Sequence, residues 1–131
     1  MDNSKKRILI VEDDQFLREF YQELLQSDGY TIEVAEDGES GFQKAQLGGF
    51  DLILLDIMLP KKDGLQVLRD LKGQGAKSPN KSVVILTNLG QEAVIKECFN
   101  LGVEGFLIKS ALNPDQVLSE IRSFLNKTAN E

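Results

Sequence analysis

Five short apolar runs divide the chain: RILIV (7–11), TIEVA (31–35), DLILLD (51–56), SVVILT (82–87) and EGFLIK (104–109). All are rich in Ile, Val and Leu and have the length of strands. Four are nearly continuous, the pattern of strands covered by helices on both faces of a parallel sheet. TIEVA instead alternates, with Glu33 at its centre, and is expected at an edge. Between the runs the period becomes helical. Phe16, Leu17, Phe20, Leu24 and Leu25 make one stripe, Leu65, Leu68 and Leu71 a second, and Val117, Leu118, Ile121, Phe124 and Leu125 the clearest. Cys98 shares a further stripe with Val94 and Leu101 and reads as a small buried hydrophobe.

Local signals bound these elements. Asn113 is a candidate N-cap with Pro114 at the first helical position. Asp14 reads as a second cap, Asp37–Gly38 and Asp63–Gly64 as turns that start helices, and SDGY (27–30) and NLGVEG (100–105) as glycine-terminated helix ends. KGQGAKSPNKS (72–82) is the one long loop. The order βαβαβαβαβα predicts an α/β fold with a parallel sheet and right-handed crossovers. At 131 residues the chain is read as a single domain, with a core from about 5 to 127 and short polar tails.

Charge narrows the chemistry. Acids outnumber bases 21 to 15, for a net charge of −6, which disfavours nucleic-acid binding by this chain alone. No histidine is present, which removes His-based catalysis, His metal ligation and a phosphohistidine donor role. One cysteine, a polar start and no apolar run near ~18 residues make a cytoplasmic location without membrane spans the expectation.

The ends of the buried runs carry the anomaly. The first runs into Glu12 and Asp13, the third ends in Asp56, the fourth in Thr87 and the fifth in Lys109. In an open α/β sheet, ligands sit beyond the carboxyl ends of the strands. These five residues are therefore expected to converge on one crevice. Three close carboxylates call for a cation. Oxygen ligands without Cys or His favour Mg²⁺, with Mn²⁺ a substitute. A bound metal and Lys109 would let the crevice accept a phosphoryl group, with Asp56 as nucleophile, Thr87 as hydrogen-bond donor and Glu12 with Asp13 as the metal pair. The turn EDDQ and the lack of GxGxxG or GK[ST] argue against dinucleotide and P-loop sites.

The segments VEDD, LLDIMLPKKDG, ILT and GFLIK resemble those of the response-regulator receiver domain, the CheY-like phospho-acceptor of two-component signalling, across about residues 5 to 127. The resemblance implies a doubly wound five-stranded (βα)5 sheet in the order 2-1-3-4-5. It implies that Asp56 takes phosphate from a histidine kinase or phosphotransfer protein. Asp13 would ligate Mg²⁺ directly, Glu12 through water, and Met58 through its backbone carbonyl. Thr87 and Phe106 resemble the switch pair that reshapes the surface of the fourth helix, fifth strand and fifth helix, where a downstream protein, a fused output domain or a second copy would dock. The chain would be either a stand-alone receiver or the front of a longer protein.

Three positions depart from the family's pattern: Ser110 where proline follows the lysine, Asn88 where a small residue follows the threonine, and Phe106 where tyrosine is usual. Proline there accompanies a cis peptide, which costs ~3–4 kcal/mol before any other residue. With Ser110, either the loop stores strain or Lys109 is presented differently. Met58 and Leu89 would flank the phosphoryl group and, being apolar, cannot position an attacking water, so slow self-dephosphorylation is expected. Two other functions use similar residues. A receiver-like interaction module would work without phosphorylation. An aspartyl-phosphate hydrolase needs a second acid two positions after the nucleophile, where this chain has Met58.

Overall fold

The computed structural model describes residues 5–74, 80–88 and 90–129. Strands and helices alternate: β1 (Arg7–Val11), α1 (Gln15–Ser27), β2 (Thr31–Ala35), α2 (Gly38–Leu47), β3 (Leu52–Asp56), α3 (Gly64–Gln74), β4 (Val83–Thr87), α4 (Glu92–Asn100), β5 (Gly105–Ile108) and α5 (Pro114–Ala129). The strands form one parallel sheet in the order β2-β1-β3-β4-β5. β1 and β2 coincide with the apolar runs, and the other three are trimmed by a residue at one or both ends.

The pleat explains why the runs are apolar throughout. Successive side chains point to opposite faces. Ile8, Ile10, Leu52, Leu54, Val84, Leu86 and Leu107 pack with Tyr21 and Leu25 of α1 and Val117, Ile121 and Leu125 of α5. Their neighbours Leu9, Val11, Ile53, Leu55 and Ile85 pack with Phe42 and Ala45 of α2, Val67 and Leu68 of α3 and Cys98 of α4. Each fully buried side chain of this size contributes ~1.5–3 kcal/mol. The edge strand β2 carries Glu33, which pairs with Arg7 on β1.

Helix starts follow the sequence closely. Asp14 accepts from Leu17 N at 3.1 Å, Asp37 from Ser40 N at 2.8 Å, Asp63 from Gln66 N at 2.9 Å and Asn113 from Gln116 N at 3.1 Å. α4 is the exception, since Gln91 occupies its cap position without a side-chain cap bond. Gly29 and Gly102 have positive φ just past α1 and α4, as helix-ending glycines require. Phe16 is a correction. It stands off the Leu17, Tyr21 and Leu25 row that faces the sheet and is 67% exposed, while Tyr21 takes the buried place. Part of the long loop, residues 75–79, lies outside the described residues, as does Leu89.

One close approach fixes the wall beside the strand ends. A Cβ on Gly38 would lie 1.4 Å from the Lys62 carbonyl oxygen, and Gly38 N donates to Pro60 O at 3.3 Å. Only glycine lets α2 begin against the loop that follows β3. Gly38→Ala is expected to lower stability by ~1–3 kcal/mol, measured by denaturant unfolding. Gly73→Ala in α3, where an added methyl meets nothing within 4 Å, should instead raise it by ~0.5–1 kcal/mol.

Candidate metal and phospho-acceptor site

Backbone geometry gathers the acids. β1 and β3 are neighbours in register, Val11 opposite Leu55, so Glu12 and Asp56 follow at adjacent strand ends. Glu12 and Asp56 continue the Ile8–Ile10 and Leu52–Leu54 rows, and Lys109 continues the row of Leu107, so all three belong to the α1 and α5 side of the pleat. Carboxylate oxygens of Glu12, Asp13 and Asp56 lie within 4.8 Å of one another. Glu12 and Asp56 are fully buried and Asp13 is exposed. Lys109 Nζ lies 2.9 Å from Asp56 Oδ2 and 3.0 Å from Glu12 Oε1. No described peptide bond is cis, Lys109–Ser110 included, so Lys109 reaches both acids from a trans linkage.

Further bonds orient the carboxyls. Met58 N donates to Asp56 Oδ1 at 3.1 Å, which sets the Met58 backbone beside the acid while its side chain is 62% exposed. Asp14 N donates to Glu12 Oε2 at 3.1 Å. Glu12 Oε1, despite the nearby ammonium, has no partner aligned for a hydrogen bond. Arg18 was not singled out in the sequence. Its guanidinium donates to the carbonyls of Glu12 at 3.0 Å and Asp13 at 3.3 Å and braces the acidic turn from α1. Its signal was the placement of a lone base on the first helix, one turn after Asp14.

The electrostatics are those of acids in excess. Burial, helped by a proton that Glu12 can share with the Asp56 carboxyl, pushes the Glu12 pKa up to about 7. Burial alone would push the Lys109 ammonium down, but its bonds to Asp56 and Glu12 prevail and hold it above the usual lysine value. Burial and the negative charge of Glu12 push the phenol of Tyr21, beneath the site, up to about 12. With every acid ionised, three carboxylates and one ammonium leave two negative charges, which one divalent cation cancels. The donor set suits a hard ion: three carboxylates with oxygens within 4.8 Å of one another, no nitrogen or sulfur ligand among them, and a buried carboxylate oxygen that lacks an aligned donor.

Thr87 and Phe106 lie on the other face of the pleat from Glu12, Asp56 and Lys109. Their rows belong to the α4 side of the sheet, with Ile85 opposite Phe106 and Thr87 opposite Ile108. The Thr87 hydroxyl donates to Gln91 Oε1 at 2.9 Å and lies 3.2 Å from Asn88 O. Thr87 is buried, whereas Phe106 is 43% exposed and meets Phe99 edge-to-face at 6.5 Å. Gln91 went unnoticed in the sequence, because nothing in a polar loop residue reveals which way its amide turns.

Residues 8–122 match the family described as the response regulator receiver domain, and the chain belongs to it. Members are the receivers of two-component signalling, and the triad of acids is typical of the receiver Mg²⁺ site. The chain is 34% identical over 122 residues to the chemotaxis protein CheY of Treponema pallidum, across 91% of this chain and 82% of that protein. It is 36% identical over 116 residues to the transcriptional regulatory protein DltR of Streptococcus agalactiae, across 88% of this chain but 50% of the regulator. It thus spans about half the length of the transcriptional regulators it matches. A CheY-like receiver structure from Methanospirillum hungatei JF-1 superposes with a TM-score of 0.84 at 27% identity, covering 97% of this chain and 98% of that one. No helix among the described residues is long and apolar enough to cross a membrane.

The raised Glu12 pKa gives a signed prediction for the metal-free protein. Folded Glu12 holds its proton up to about pH 7, whereas unfolded Glu12 loses it near 4.5. The native state therefore binds more protons in this window, and stability falls as pH rises through it. Urea unfolding in chelator should show that decline between pH 5 and 7.5. Glu12→Gln should flatten it and leave the metal-free protein ~1–3 kcal/mol more stable at pH 8.

Proposed function

We propose that this chain is a phosphorylation switch in which Asp56 accepts a phosphoryl group from the phosphohistidine of a histidine kinase or phosphotransfer protein. One observation carries the reading: a buried carboxylate at a strand end, held by a lysine and crowded by two more acids, with oxygen atoms spaced for one small cation. Glu12, Asp13, Asp56 and the Met58 carbonyl would hold Mg²⁺, which supplies positive charge opposite the phosphoryl oxygens when bound.

The chain's own residues do the rest. An Asp56 oxygen forms the new O–P bond as the donor's N–P bond breaks, and the electron pair of that bond stays with the imidazole nitrogen. Lys109, already against Asp56 Oδ2, pairs with a phosphoryl oxygen as charge moves outward from the carboxylate. Because its nitrogen also faces Glu12, the lysine can follow the charge without leaving an acid unpaired. Thr87 then turns its hydroxyl towards the phosphoryl group. Phe106, half exposed in the resting arrangement, moves into the space that Thr87 gives up. The ring makes no hydrogen bond when inward, so the switch at this position is one of packing. The altered face comprises α4, β5 and α5, where a downstream protein, an output domain or a second copy would read it. The apolar side chain of Met58 offers no group to position water, which supports slow self-dephosphorylation.

Acetyl phosphate with Mg²⁺ should label the protein, by intact mass, with one phosphoryl group. Asp56→Ala should abolish the label, and chelator should suppress it. A label that persists in Asp56→Ala, or a wild-type protein that takes none, would overturn the assignment; the latter would favour an interaction module that works without phosphorylation.

A further inference from the structure

We propose that Gln91 is a positioning residue, a latch that holds the Thr87 hydroxyl in the resting orientation and ties the start of α4 to the end of β4. The proposal rests on the phospho-acceptor reading and adds to it the group that opposes the switch.

A threonine hydroxyl has one proton to donate. Here it faces Gln91 Oε1 at 2.9 Å, with Asn88 O further off at 3.2 Å. The Asp56 carboxyl has other partners, Met58 N on Oδ1 and Lys109 on Oδ2. Thr87 is 1% exposed, so its hydroxyl cannot fall back on bulk water while the loop stays in place. A buried hydroxyl that loses its partner is destabilised by more than the net worth of the bond. Gln91 therefore stabilises the resting state, and any movement of Thr87 towards a phosphoryl oxygen has to break this bond.

The helix start gives a second observation. α2 and α5 begin under Asp37 and Asn113, and α1 under Asp14, each bonded to its own first turn. Gln91 occupies the corresponding place at α4 and caps nothing with its side chain. Its amide is committed to β4 instead. When Thr87 turns away, the amide is released and the first turn of α4 loses its side-chain tie to the sheet. The latch thus couples the hydroxyl's orientation to the seating of α4, on the same side of the sheet as Phe99 and Phe106.

The experiment is a double-mutant cycle on beryllofluoride binding with Mg²⁺, read by titration calorimetry and by amide shifts along α4. Gln91→Met keeps the side chain's length and removes its oxygen. It should tighten beryllofluoride about two- to tenfold, the range expected from one neutral hydrogen bond, and move resting α4 shifts towards their bound values. Gln91→Ala should act in the same direction. In the Thr87→Val background, neither change should alter affinity, because the hydroxyl they release is gone. Unchanged or weaker binding in both Gln91 variants, or an equal effect with and without the Thr87 hydroxyl, would overturn the latch. Wild-type protein that binds no beryllofluoride would overturn the phospho-acceptor reading itself, a result distinct from a wild type that binds while the Gln91 variants match it.

Discussion

Glu12 and Asp56 are carried to the same place by neighbouring strands and are both removed from water, and Lys109 stands between them in contact with each. One ammonium cannot satisfy two buried carboxylates and the exposed Asp13 beside them. The shortfall appears in Glu12, which keeps its proton to about pH 7 and whose Oε1 lacks an aligned donor. Everything at this end of the sheet follows from that deficit of positive charge. It makes a divalent cation favourable, and in the proposed function the bound cation would let an anion enter a pocket that otherwise repels one. A buried ion cluster of this kind is weak support for the fold itself. Stability comes from the two apolar layers beneath, which leave the cluster free to be under-neutralised.

The pleat then divides the labour. Glu12, Asp56 and Lys109 continue the rows packed against α1 and α5, whereas Thr87 and Phe106 continue those packed against α4. In the proposed switch, charge is handled on the α1 and α5 side of the sheet, where Asp56 ends the central strand β3, and the mechanical response on the α4 side. A shift of one residue in β4 would reverse this, sending Thr87 to the charged side and its neighbour to α4. The register of Asp56 with Leu86 is therefore as much part of the proposed switch as either side chain.

Much of this was readable in the chain. The buried runs located the strands within a residue or so, because a strand covered on both faces has to be apolar throughout. The polar residues ending those runs pointed to the cluster of Glu12, Asp13, Asp56 and Lys109, because a core gives them no other reason to be there. Strand order was a different matter: local pattern announces a strand without saying which strand lies beside it, and the order 2-1-3-4-5 came from resemblance to receivers. Phe16 was misplaced because a stripe written as 16, 17, 20, 24 and 25 fits the helical period almost as well as the true row through Tyr21. Gln91 carried no signal, since its role depends on the direction of one amide in a turn. Arg18 lay between these cases, legible as a lone base near an acidic turn but not as a brace for its carbonyls.

The glycine contact beside the pocket has a wider consequence. Backbone touches backbone where Gly38 meets Lys62, with no side chain between them to yield. The loop after β3 and the entry of α2 are thereby joined as one stiff wall. Across the pocket, α4 is seated without the cap bond that begins α1, α2, α3 and α5. Among the described residues, α4 is the helix start held by a bond to the sheet in place of a cap, which in the proposed switch gives a disturbance at Asp56 a route outward on that flank.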